Sequence, residues 1–171
     1  MRLLEDYIQN LLKQVSELSI NERQCVAIVC FERYCRKHSI SHPDITAFVE
    51  HVWKVAQIKD NFCEWSDKFV ELAISGQGDP YPDDLRKAIP SELISEFNLF
   101  TQYVYEIGAV CWYGCESDKS NKMLLKIFEI LAKHSISFPD LSIYRDDSKK
   151  SNDGWTSAIS DDKLKLLRAS V

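Results

Sequence analysis

The side chains able to do chemistry are few, and their spacing does not assemble a reaction centre. The sequence has four histidines: His38, His42, His51 and His134. His38 and His134 each close an apolar helical stretch. An imidazolium there meets the free carbonyls and the negative dipole end of a helix, so a capping role with the cation favoured is expected for both. His38 and His42 straddle a break between helices and do not share a face for zinc. His51 is expected on a surface turned to solvent or a partner. Paired carboxylates occur at Glu5-Asp6, Asp83-Asp84, Asp146-Asp147 and Asp161-Asp162. None comes with a Glu-x-x-His on a helix, the pattern of a di-iron bundle. Asp83-Asp84 and Asp161-Asp162 also suit helix N-termini. Gly76-Gln77-Gly78 lacks the lysine and Ser/Thr of a phosphate loop, and Asp79 would repel phosphate. No Gly-x-Ser-x-Gly and no Cys-x-x-Cys occurs. The expectation is therefore no catalytic residue, no metal and no cofactor.

Surface recognition is the chemistry left. Three stretches combine carboxylates with aromatic rings: Asp79-Pro80-Tyr81-Pro82-Asp83-Asp84, Trp112-Tyr113-Gly114-Cys115-Glu116-Ser117-Asp118, and Tyr144-Arg145-Asp146-Asp147. Aromatic rings suit interface centres, and carboxylates suit a cationic partner. Asp79, Tyr81, Asp83, Asp84, Tyr113, Glu116, Asp118, Asp146 and Asp147 are thus the candidate partner-binding residues. In a purely structural role, the same rings would pack the core and the same aspartates would cap helices.

The bulk properties agree. Twenty-one basic residues against 26 acidic ones give a net charge of −5, which disfavours nucleic-acid or anionic-membrane binding. No apolar run approaches a membrane span. Carboxylates at Glu5 and Asp6 interrupt what would be the apolar stretch of a signal peptide, so secretion is not expected. The six cysteines read as buried free thiols in a reducing cytoplasm.

Elements that position these residues follow from apolar periodicity. Helices are expected over about 2–16, 21–37, 43–57, 62–75, 83–87, 91–113, 119–134 and 161–168. Ser19 and Glu22 have the spacing of a capping box. Ser41 and Asp44 repeat that spacing, and Pro43 is tolerated in a first turn. The second helix has so broad an apolar set that it should be central, and the 91–113 helix is apolar nearly all round and should be the buried centre of the second half. Residues 76–84 form the plainest loop. Residues 145–156 read as an extended or mobile polar segment anchored by Trp155. No sustained alternation predicts a sheet. One phrase occurs twice: Lys37-His38-Ser39-Ile40-Ser41-His42-Pro43-Asp44-Ile45 and Lys133-His134-Ser135-Ile136-Ser137-Phe138-Pro139-Asp140-Leu141 share seven of nine residues. It marks helix ends rather than chemistry. The fold class is a single-domain all-α bundle of seven to eight helices.

Certain wordings resemble all-helical immunity proteins of bacterial contact-dependent growth inhibition and polymorphic-toxin systems. They are Phe31-Glu32-Arg33-Tyr34-Cys35-Arg36-Lys37-His38, Gly78-Asp79-Pro80, Tyr105-Glu106-Ile107-Gly108 with Trp112-Tyr113-Gly114, and the Ser-x-Pro-Asp ending before Leu141. The resemblance covers roughly residues 21–144. It implies a cytoplasmic, non-enzymatic protein that binds and blocks a cognate toxin domain, often a nuclease with a basic substrate cleft. The alternatives are a helical adaptor or scaffold without a toxin, and a helical enzyme.

Overall fold

The computed structural model describes residues 2–58, 62–114, 117–145 and 158–171. Eight α-helices and no strand occur among the described residues: α1 (Arg2–Glu17), α2 (Ile20–Lys37), α3 (Pro43–Lys54), α4 (Phe62–Val70), α5 (Asp83–Ala88), α6 (Ile94–Gly114), α7 (Ser117–Lys133) and α8 (Asp161–Arg168). Single 3-10 turns lie at Val55–Gln57, Ser91–Leu93 and Leu141–Ile143. They shorten two expected helices: α3 tightens after Lys54, and α6 begins at Ile94. α4 also stops earlier than expected, at Val70, and the chain turns through Ser75 toward Gly76.

α2 is the axis of the molecule. Every residue from Ile20 to Phe31 is buried, and α3, α6 and α7 all pack on it. Its start is the expected capping box. Glu22 N–H donates to Ser19 Oγ at 3.2 Å, and Ser19 N–H donates to Glu22 Oε2 at 2.7 Å, so two otherwise orphan amides are satisfied. Because the whole first turn is buried, its polar side chains gain from bonds made inside the protein. Gln24 Nε2 donates to the Val104 carbonyl at 2.7 Å, and Arg23 Nε to the Val15 carbonyl at 3.3 Å. Lower on the same helix Phe31 meets Phe48, Phe97 and Phe100 with ring centroids 5.2, 5.3 and 5.4 Å apart. These tilted and edge-on contacts tie α2 to α3 and α6.

The duplicated phrase is a helix-ending motif used twice. Ile40 N–H bonds the Cys35 carbonyl and Ser39 N–H the Arg36 carbonyl; Ile136 N–H bonds the Leu131 carbonyl and Ser135 N–H the Ala132 carbonyl. This is the Schellman pattern, which satisfies the last free carbonyls of α2 and of α7. It needs a left-handed residue after the cap, and Ser39 and Ser135 supply it with φ of 55° and 54°. The copies diverge afterwards. His42 caps α3, whereas Asp140 caps only a 3-10 turn.

Two expectations about burial are corrected. α6 is not closed on all sides: Phe97, Phe100, Val104 and Ile107 are buried, but Leu99 is 45% exposed. α2 is enclosed over residues 20–31, while Arg36 and Lys37 near its end are exposed. The apolar spacing of α1 also predicts Tyr7 on its inner face, and Tyr7 is instead exposed.

A left-handed serine carries backbone strain that glycine does not, and glycine returns part of the gain through its freer unfolded chain. Ser39→Gly and Ser135→Gly are each expected to raise stability by about 0.5 kcal/mol in urea unfolding. A loss instead would mean that the serine hydroxyls contribute to these helix ends.

Candidate functional site

The 76–84 loop and the start of α5 form a corner built on α6. Gly76 and Gly78 have φ of 66° and 85°. A Cβ on Gly76 would lie 2.5 Å from Tyr105 Cβ, so only glycine lets the loop sit this close to α6. Ser75 Oγ donates to Asp79 Oδ2 at 2.5 Å and accepts from Gln77 N–H at 3.2 Å. The Tyr81 hydroxyl meets Asn98 Oδ1 at 3.2 Å and Thr101 Oγ1 at 3.1 Å, and its ring lies edge-on to Phe97. Burial pushes its phenol up to about 12. Half-buried Tyr81 is therefore the loop's anchor to the core. Asp79, Asp83 and Asp84 are exposed.

Asp83 and Asp84 stand in the first turn of α5. Asp84 Oδ1 accepts from Leu85 N–H at 3.0 Å, and its Oδ2 lies 3.5 Å from His42 Nε2. His42 is the N-cap of α3: its Nδ1 accepts from Asp44 N–H at 3.2 Å. An accepting Nδ1 leaves the ring proton on Nε2, facing Asp84. The expected cap, Ser41, stands one residue too early. Pro43 was the signal, because proline at the first helical position makes the residue just before it the cap.

Among the other candidates, Asp118 alone has a described side chain. Asp118 is exposed in the first turn of α7 rather than in a turn between helices. Glu116, Asp146, Asp147, the Tyr113 side chain and the Trp155 anchor lie outside the described residues. Tyr144, in the third aromatic stretch, is fully buried, with its hydroxyl 3.0 Å from Ser170 Oγ.

A second polar cluster, unforeseen in its composition, lies where the two helix ends meet. The His38 and His134 rings stand edge-on with centroids 4.5 Å apart. Glu96 accepts from Tyr34 Oη at 3.1 Å and also pairs with Lys133 and His134. Burial pushes the Glu96 carboxyl up, but the bonds from Lys133, His134 and Tyr34 outweigh it and hold the group below its ordinary value. Burial lowers His38, and the neighbouring His134 adds to this; His38 Nε2 is buried without a hydrogen bond. Burial and the neighbouring His134 thus both work against the imidazolium expected at the end of α2. His51, expected at the surface, is buried. It stacks on Trp65, a ring nitrogen of each residue bonds the carbonyl of the other, and burial lowers His51 too.

Of the cysteines, Cys25, Cys30 and Cys35 are buried and Cys63 is exposed; the side chains of Cys111 and Cys115 lie outside the described residues. Burial raises the Cys25 thiol to about 12 and raises Cys30 and Cys35 as well, so these three behave as small apolar groups. Among the described residues, no group of three or more His, Cys, Asp or Glu is placed to hold a metal ion, and no helix is long and apolar enough to cross a membrane. No protein-family model, curated protein or solved structure matches the chain.

Gly76→Ala combines a left-handed backbone with the contact to Tyr105 and is expected to cost about 2 kcal/mol in urea unfolding; an unchanged midpoint would show that the loop is not held by this approach. The histidines make stability depend on pH. With His38 and His51 held below the ordinary 6.5, the unfolded chain binds more protons than the folded one just below that pH. Stability is complete above pH 6.5 and is lost as pH falls toward the lower folded values. Glu32, raised by burial, opposes this. Unfolding midpoints should drop between pH 7 and about 5.5. His38→Phe keeps a ring against Tyr34 and flattens the drop; an unaltered slope would show that His38 titrates normally.

Proposed function

We propose that this protein is a non-enzymatic immunity protein of the cytoplasm. It binds a cognate toxin domain, a nuclease with a basic substrate cleft, one to one and neutralises it. One observation carries the reading: Asp79, Asp83 and Asp84 are exposed together on a corner that Gly76, Gly78 and Tyr81 hold against α6. Carboxylates on a rigid support lose little freedom when they bind, which favours affinity. They also match a cleft whose cations were placed for phosphate oxygens. A net charge of −5 adds steering toward such a partner, an effect that weakens with salt.

The resemblance in the helix-end and loop wordings points the same way. It also suggests where to find the partner: the toxin domain encoded directly upstream. Titration calorimetry of that domain with this protein is expected to give one-to-one binding tighter than micromolar. The combined variant Asp79→Lys, Asp83→Lys, Asp84→Lys should bind at least tenfold more weakly, and cells carrying it should lose protection. Absence of binding at micromolar concentration, with no protection of cells by the unaltered protein, would defeat the reading.

A further inference from the structure

A cleft of about 280 Å3 separates the end of α2 from α3. Its floor is apolar: Cys35, Ile40, Ile45 and Val49 are all less than a tenth exposed. Glu32 and Glu50 stand among its walls. The volume is slightly below the roughly 300–1,000 Å3 of pockets for small-molecule ligands, a size for one long side chain rather than a whole ligand.

The two carboxylates differ. Glu50 is already paired with Arg168, at 2.6 Å, while that guanidinium also lies 5.4 Å from the Trp53 ring centroid. Arg36, the cleft's own cation, donates to the Val171 carbonyl at 2.9 Å. Glu32 has a hydrogen bond from Trp53 Nε1, at 3.1 Å, on one of its two oxygens. Arg168 and Arg36 act on it from beyond ion-pair distance, and burial raises its carboxyl above the ordinary range. A half-buried carboxylate attracts a cation more strongly than a fully solvated one does, because the lower local dielectric screens the pair less. At the other end His42 lines the cleft and faces Asp84, so the cleft opens beside the acidic corner.

We propose that this cleft is the anchor pocket for a single lysine or arginine side chain of the protein partner, with its aliphatic stem on Ile40, Ile45 and Val49 and its cationic head on Glu32. Long cationic side chains divide in this way between apolar wall and charge, and an enclosed arginine is a frequent centre of binding energy. The assignment rests on the reading that the partner is a basic protein, but it can be tested without that partner.

The probes are Nα-acetyl-arginine methylamide, its lysine counterpart and, as an uncharged control, the norleucine counterpart. Each is titrated into the ¹⁵N-labelled full chain at pH 7 and followed by amide shifts. Both cationic probes, but not norleucine, are expected to shift the Cys35, Ile40, Ile45 and Val49 amides along one saturable curve. Glu32→Gln keeps the acceptor for Trp53 and should weaken this at least fivefold. Thr46→Arg, at an exposed lining position, installs a resident cation and should abolish it. Cleft amides that do not move, that respond equally to norleucine, or that are indifferent to both substitutions would overturn the pocket. If the probes bind the cleft but the toxin domain does not bind the protein, the pocket stands and the toxin reading falls. If the toxin domain binds with an affinity that neither variant changes, the toxin reading stands and the pocket falls.

Discussion

Phe31 touches three other phenylalanine rings, one from α3 and two from α6, and it does so from the middle of a helix with no solvent face over its first twelve residues. The rest of the structure answers to that enclosure. A buried helix has no water for its end groups, so α2 opens on a reciprocal Ser19–Glu22 cap and closes on a Schellman turn. Its polar residues are tolerated because bonds such as that from Gln24 to the Val104 carbonyl reach across to neighbouring segments. Three thiols at five-residue steps, which cannot share a face, are all buried for the same reason. Every direction around the first twelve residues of α2 is interior.

Polar chemistry is consequently pushed to the margins, where it separates into two kinds. At the meeting of the α2 and α7 ends, Tyr34, His38, Glu96, Lys133 and His134 are absorbed in one another. That cluster holds two helices together. At the 76–84 corner the aspartates face outward, and their bonds are to a serine, a backbone amide and one imidazole. The second arrangement leaves charge available to a partner. The first does not.

His42 connects the corner to the α2–α3 cleft. One nitrogen caps α3, and the other faces Asp84 on α5. The ring therefore caps the start of α3 and lies 3.5 Å from the Asp84 carboxylate on α5, at the edge of the cleft. Rigid positioning of this kind lets an exposed carboxylate bind a cation without first losing the freedom of a mobile loop.

What the sequence determined by itself was local. The capping box at Ser19, the aspartate pairs opening α5 and α8, the glycine loop and the enclosed first part of α2 follow from hydrogen bonds and apolar periods that act within a few residues. The two helix-ending phrases were legible for the same reason, because a Schellman turn is completed within six residues. What the tertiary structure decided was which of these parts face each other. Tyr81 turned inward, His51 became buried against Trp65, Glu96 became the acceptor for two histidine-bearing helix ends, and Glu32 became the unfilled carboxylate of a cleft. None of these is visible along the chain. A side chain's burial and charge depend on what a distant helix sets opposite it, and that is fixed only when the whole bundle closes around α2.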